Sequence, residues 1–235
     1  MPKTQVNHRL LFDQCILCRN ACHRHTGICQ SCLQDLPWLP HHCTRCALPL
    51  SSSLQTLCAD CLLKPPAFSL IRAPFSYQFP LDQLVGKIKY SGHASLIAPL
   101  ALQLALQIQH PTESPGHPFP DLLLPVPMHR HSLAKRGFNQ AELICRIVSQ
   151  QLKLPSDFRR LRKTMETRHQ RELDKKARKQ NLRHAFECLP LDGLSVALVD
   201  DVMTTGTTLN EISRVLLNCG ASRVEGWVLA RTPEA

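Results

Sequence analysis

The 235-residue sequence contains no uninterrupted apolar run of the roughly eighteen residues that a membrane span requires. Its best candidate, Leu96 to Ile108, is short and broken by Pro99 and two glutamines, so no bilayer crossing is expected. The opening MPKTQVNHRLLFDQC has no apolar segment of secretory type, which points to the cytoplasm. Also missing is any GxxxxGK[ST] stretch, which disfavours a Walker-type nucleotide site. Acidic residues are scarce: Asp plus Glu number 18 against 28 Lys plus Arg, a net charge of +10 that favours anionic partners such as phosphates or nucleic acid. At 43% hydrophobic and 20% charged, the chain is neither mostly disordered nor collagen-like. Its length suits one ordinary domain plus a small one.

Cysteine is abundant and unevenly placed. Nine of the twelve lie before residue 62, and eight of these form four Cys-x-x-Cys pairs: Cys15/Cys18, Cys29/Cys32, Cys43/Cys46 and Cys58/Cys61. Ten, ten and eleven residues separate successive pairs, so the unit repeats. Each pair can turn two thiolates towards one ion, and two pairs complete a tetrahedral zinc site. Two structural Zn²⁺ ions are expected, with all ligand positions filled by sulfur and none open for water. The simplest pairing is sequential, Cys15/Cys18 with Cys29/Cys32 and Cys43/Cys46 with Cys58/Cys61, while spacing also leaves a cross-brace of alternate pairs open. A disulfide framework would need an oxidising compartment, a redox motif would not come four times, and iron–sulfur runs are commonly more compact. Few large apolar side chains lie between Cys15 and Cys61, so metal must supply most of this region's stability.

The paired prolines of LLKPPAF mark a boundary near Lys64 to Pro66. The expected organisation is a double zinc ribbon over 1–64, short strands and helices over 65–120, and an α/β core over 121–235. FSLIRAPFSYQF reads as two short strands around Pro74. LDQLVGKIKYSG carries Leu81, Leu84, Val85 and Ile88 at helical spacing, with Lys87 and Lys89 beside that stripe. A helix from about Ser95 to Gln109 follows, then a Pro- and Gly-rich loop. From Asp121 strands and helices alternate (DLLLPVP, FNQAELICRIVSQQL, LSVALVDD, NEISRVLLNCGA, RVEGWVLAR), the pattern of a parallel sheet flanked by helices. Such sheets bind ligands at the carboxyl ends of their strands.

VALVDDVMTTGTT, Val196 to Thr208, occupies one of those ends. An apolar strand delivers Asp200 and Asp201, then a threonine loop around one glycine opens into a helix. Gly206 permits a tight turn, and the amides and hydroxyls of Thr204, Thr205, Thr207 and Thr208 can surround a phosphate, helped by the positive helix end. The carboxylates can accept hydrogen bonds from ribose hydroxyls. A phosphorylated sugar is the ligand this succession suits.

The full string resembles the phosphoribosyl-pyrophosphate (PRPP) signature of type I phosphoribosyltransferases. Together with LLLPVPMHRHSLAKRGFNQAELI, LRKTMETRHQRELDKKARKQNLRHAF, GKIKYSG and the zinc knuckles, it makes nearly the whole chain resemble the ComF/GntX family, also called competence protein F or ComFC. The resemblance implies a type I phosphoribosyltransferase-like sheet behind a small N-terminal zinc-ribbon domain. It implies PRPP, carrying Mg²⁺, as ligand, with pyrophosphate held between Pro127 and Gly137, where Arg130, Arg136 and Gly137 are the candidates. It identifies no proton-transferring residue.

Between Arg159 and Arg183 stand eleven Lys or Arg against three acids, a surplus of +8 within a chain of +10. Arg168, Arg171, Lys175, Lys176, Arg178 and Lys179 are the nucleic-acid-binding candidates. With no Trp, Tyr or Phe there to stack on bases, contact with single-stranded DNA would be electrostatic and independent of sequence. The expectation is a PRPP-binding protein of natural transformation that handles incoming single-stranded DNA in the cytoplasm, with DNA-uptake or DNA-processing proteins as partners. The alternative is an active phosphoribosyltransferase in nucleotide salvage or synthesis.

Overall fold

The computed structural model describes residues 13–22, 27–91, 93–110, 117–165 and 185–233. The chain divides into two compact units, Met1–Leu36 and Pro37–Ala235. The covalent exit from the cysteine-rich region at Lys64 to Pro66 thus lies inside the second unit.

Each cysteine repeat is a structural repeat. In the first unit, the Cys15 N–H donates to Asn20 and the Arg19 N–H to Cys15, with Arg19 at φ 62°. In the second unit, the Cys43 N–H donates to Leu48 and the Ala47 N–H to Cys43, with Ala47 at φ 57°. The second pair of each repeat opens a helix: Cys29 precedes α1 (Gln30–Gln34) and Cys58 precedes α2 (Ala59–Leu63), both in extended conformation. Five residues are too few to hold a helix in water unaided, so each depends on the cysteine in front of it being fixed.

Beyond these come β1 (Ile71–Arg72), β2 (Phe75–Ser76) and α3 (Leu81–Ser91). The Leu81, Leu84, Val85 and Ile88 stripe of α3 is buried. Next is α4 (Ile97–Gln109), in which Pro99 is tolerated because it falls in the first turn. This helix realises the apolar run noted above as a buried core element. No helix among the described residues is long and apolar enough to cross a membrane.

The remaining elements are β3 (Leu122–Pro125), α5 (Arg130–Arg136), α6 (Gln140–Leu152), β4 (Leu161–Lys163), β5 (Phe186–Cys188), β6 (Ser195–Met203), α7 (Thr207–Asn218) and β7 (Arg223–Arg231). The main sheet runs β1-β7-β6-β3, with β2 also on β7, and every pairing is parallel. Ser156 adds a parallel bridge to Leu123 beyond β3. The chain therefore moves outward from β3 through α6 and, after β6, in the opposite direction through α7. Right-handed crossovers then place α6 and α7 on opposite faces, as a buried parallel sheet needs. The reversal falls between β3 and β6, and open α/β sheets bind ligands outside the strand ends at such a switch point.

β4 and β5 form a separate antiparallel pair that sequence patterning did not reveal. They are three residues each, too short to show a period.

The second repeat is built into the sheet unit. The Leu39 N–H donates to Pro74 and the Ser76 N–H to Pro37, so the approach to the knuckle runs along β2. Cys43, Cys46, Cys58 and Cys61 share one apolar cluster with Leu198, Met203, Val228 and the α7 residues Leu209, Ile212 and Leu216.

Candidate functional site

Cys15, Cys18, Cys29 and Cys32 form one sulfur tetrad and Cys43, Cys46, Cys58 and Cys61 the other, the sulfurs of each lying within 4.8 Å of one another. Consecutive pairs combine; the alternate-pair arrangement is not adopted. Cys18 Sγ lies 3.6 Å from Cys29 Sγ, and Cys46 Sγ 3.6 Å from Cys58 Sγ. These separations far exceed a disulfide bond of about 2.05 Å. They approach the edge of a tetrahedron with metal–sulfur distances of about 2.3 Å, roughly 3.8 Å, so the donor sets fit Zn²⁺.

The thiols are poised for a cation. Burial pushes the Cys15 thiol up, but the backbone N–H groups of Cys18, Cys29 and Leu17 outweigh it and bring it down to about 6. The same contest at Cys43, won by N–H groups of Cys58, Cys46 and Arg45, ends at about 7. Burial, followed by the neighbouring cysteines, drives the Cys32 and Cys61 thiols far up. Four sulfurs at such distances cannot all ionise unless a metal neutralises them.

The second constellation stands at the carboxyl end of β6. Alternation along the strand directs the Asp200 and Asp201 side chains to opposite faces. Burial, then the charge of Asp201, pushes the Asp200 carboxyl up to about 7, although its Oδ1 accepts the Asp201 N–H at 2.8 Å. Lys89 Nζ lies 2.8 Å from Asp201 Oδ2. Burial pulls the Lys89 ammonium down, but the Asp201 and Asp200 carboxylates outweigh it and hold it above its usual range. Lys89 is thus turned into the site, not displayed on the surface beside Lys87. A signal for this exists in the sequence: Lys89 follows Leu81 and Val85 on one helical stripe, where a buried ammonium demands an acid.

After Met203 the chain turns through Thr204, Thr205 and Gly206 into α7. Gly206 has φ 74°, and a Cβ there would stand 2.4 Å from Met203 Cε. Thr205 and Thr207 hydroxyls meet at 2.9 Å, and the Thr207 N–H donates to Thr205 Oγ1 at 3.4 Å. Thr204, Thr205, Thr207 and Thr208 are exposed. Gly206, the N-cap of α7, has no side chain to cap the helix, so beyond the long Thr207–Thr205 contact its first turn and positive end are open to an incoming anion.

The segment after β3 begins beside Asp200, because β3 and β6 pair from Leu122↔Val196 to Pro125↔Val199 and the Val126 N–H donates to Val199. Most of it is helical. His129 accepts from the His131 N–H, and Gly137, at φ 85°, ends α5. Arg130 is exposed; Arg136 donates to Gln140 Oε1 at 3.0 Å. Asn139 Nδ2 donates to the Val126 carbonyl at 3.0 Å and ties the two ends of the segment together. Arg168, Arg171, Lys175, Lys176, Arg178 and Lys179 lie outside the described residues.

One further residue escaped the sequence reading. Arg231, buried at the end of β7, donates to the carbonyls of Cys46, Met203, Thr204 and Thr232. An arginine closing a strand of mixed composition carries no local signal of that role.

The chain matches the double zinc ribbon domain over residues 7–62 and the phosphoribosyl transferase domain over residues 133–235. DNA utilization protein YhgH of Escherichia coli K12 is 35% identical over 220 residues, covering 93% of this chain and 96% of that protein. Competence protein F of Haemophilus influenzae is 32% identical over 223 residues, with the same coverage. Among solved structures, the glutamine PRPP amidotransferase of B. subtilis is 18% identical, with a TM-score of 0.39, and covers 57% of this chain and 26% of that one. With two sulfur tetrads in front of a parallel sheet and relatives matched over almost their whole length, the chain belongs to the ComF/GntX (competence protein F) family.

Proposed function

We propose that the loop between β6 and α7 binds PRPP. The observation that carries this reading is the immediate succession of a buried strand, the Asp200/Asp201 pair, the Gly206 turn and the uncapped start of α7 beside a switch point of the sheet. Thr204, Thr205, Gly206, Thr207 and Thr208 surround the 5′-phosphate, and Asp200 and Asp201 accept the ribose hydroxyls. Arg130, Arg136 and Gly137, after the neighbouring β3, take the pyrophosphate. The donor set fits Mg²⁺ arriving with the ligand: two carboxylates, one already engaged by Lys89, make no full cage, and Mg²⁺ retains water and phosphate oxygens. When bound, Mg²⁺ neutralises pyrophosphate charge.

The names of its relatives and the +8 stretch support a role in DNA utilisation during competence, with single-stranded DNA held by charge in the cytoplasm. Thr164 and Ala185, joined by a hydrogen bond of 2.9 Å, bracket most of the basic residues, including Arg168, Arg171, Lys175, Lys176, Arg178 and Lys179. Changing Lys175, Lys176, Arg178 and Lys179 to Glu should abolish single-strand binding and its salt dependence, about −0.7 in log–log slope per phosphate neutralised. Equal binding by that variant removes the stretch from the account.

A second reading, transfer of phosphoribose to a base or amine with release of pyrophosphate, is favoured by the phosphoribosyl transferase domain match. Calorimetric titration of zinc-loaded protein with PRPP and Mg²⁺ tests the first reading, and the absence of heat would refute it. Pyrophosphate release with any acceptor, lost on Asp200→Ala plus Asp201→Ala, would establish the second.

A further inference from the structure

Arg231 is 7% exposed, and among the described residues its guanidinium hydrogen-bonds to backbone carbonyls alone. Nε donates to Cys46 at 3.1 Å; Nη1 donates to Met203 at 3.3 Å, to Thr232 at 2.6 Å and to Thr204. Guanidinium carries a fixed positive charge, and the carbonyl dipoles that accept from Nε and Nη1 do not neutralise it. Two anionic groups would flank it. Four thiolates around one Zn²⁺ leave a net negative charge at the tetrad to which Cys46 belongs. On the other side, the Met203 and Thr204 carbonyls begin the loop read above as a phosphate site.

The bond directions matter as much as the charge. Across a trans peptide the C=O and the next N–H point in opposite directions. Drawing the Met203 and Thr204 carbonyls in towards Arg231 turns the Thr204 and Thr205 N–H groups outward, to the loop's open side. Two further bonds brace the same frame: the Thr232 N–H donates to Met203 at 3.0 Å, and the Ala67 N–H, just past the tetrad, donates to Asn210 Oδ1 in α7 at 2.7 Å.

We infer that Arg231 is a positioning residue through which metal at Cys43, Cys46, Cys58 and Cys61 sets the affinity of the phosphate loop. Zinc fixes the Cys46 carbonyl, that carbonyl orients the guanidinium fork, and the fork aims the loop amides. The inference rests on the reading of 204–208 as a phosphate site, and its test separates the two.

PRPP–Mg²⁺ affinity and zinc content are measured on the full chain for wild type, Arg231→Lys, Arg231→Gln, Cys61→Ser and the Arg231→Gln/Cys61→Ser double variant. Arg231→Gln should keep two zinc ions and bind about tenfold or more weakly, the scale of hydrogen bonds to a charged group. Arg231→Lys, which keeps the charge and loses the fork, should fall between. Cys61→Ser should lose one zinc and a similar factor in affinity, and the double variant should lose no more, since both changes break one chain of contacts. Wild-type affinity in Arg231→Gln, or losses that multiply in the double variant, overturns the inference. Should Cys61→Ser unfold, or wild type bind no PRPP, hydrogen exchange at Thr204 to Thr208 in zinc-loaded Arg231→Gln decides. Faster exchange confined to those amides supports the coupling, and unchanged exchange overturns it. Absence of PRPP binding by wild type counts against the loop reading alone.

Discussion

Cys15, Cys18, Cys29 and Cys32 close a tetrad inside a unit that ends at Leu36, and only Cys15 among them is fully buried. Cys43, Cys46, Cys58 and Cys61 repeat the same turn, the same left-handed residue and the same helix start, yet all four are buried in the cluster that supports β6, β7 and α7. Identical ligand geometry therefore serves two energetic purposes. The first tetrad holds together a segment with little apolar surface of its own. The second joins a knuckle to a core that hydrophobic burial also stabilises, and Arg231 hydrogen-bonds both to its Cys46 carbonyl and to those of Met203 and Thr204.

The sharpest way to break this comparison is to remove one metal at a time. Cys43→Ser should lower the melting temperature of the sheet unit steeply, since structural zinc is worth about 10–16 kcal/mol in finger peptides. Cys32→Ser should disorder the first unit and move the main transition far less. Calorimetry with a zinc count on each variant reads both, and equal shifts would erase the distinction. A chelator should likewise strip the partly exposed tetrad first, and release in a single phase would argue the other way.

Lys89→Met probes the upper side of the site. Leaving the Asp201 carboxylate without its ammonium should cost about 2–3 kcal/mol in denaturant unfolding of the sheet unit. Adding Asp201→Asn should restore part of that, whereas additive losses would mean the pair is not coupled. Gly206→Ala is smaller, about 1–2 kcal/mol from the left-handed backbone, and both tetrads should keep their zinc. A variant as stable as wild type would mean that the turn relaxes.

The gentlest test is pH. Because the Asp200 carboxyl is raised from 3.8 to about 7, the stability linked to its neutral form is complete below the unfolded value and lost as pH rises through the folded one. The sheet unit should therefore melt higher at pH 5 than at pH 8, with Asp200→Asn flattening that slope. A slope that survives the substitution must come from another group.

Much of this was legible beforehand because the signals are local. Cysteine spacing marked the ligands, the alternation of apolar runs gave the parallel sheet and its helices, and Val196 to Thr208 showed a strand, two acids and a turn in one unbroken string. Features set by distant parts of the chain meeting were not legible. Spacing favoured consecutive cysteine pairs but left a cross-brace open, and only the meeting of the sulfurs in space decides between them. Lys89 meets Asp201 across more than a hundred positions, and Arg231 meets Cys46 across still more. The β4–β5 pair joins two three-residue strands, and no periodicity survives at that length. The sulfurs of the second knuckle read as ligands, and nothing in their order announced that they would also be core residues.

The hydrogen bond between Thr164 and Ala185 has a consequence for engineering. The two ends of the connection between β4 and β5 are already backbone neighbours, so a short turn in its place would close the same pair at a loop-closure cost lower by about 1 kcal/mol. The register of β4 and β5 thus rests on their own ladder and on the Thr164–Ala185 bond that closes it, and not on the length of chain that joins them.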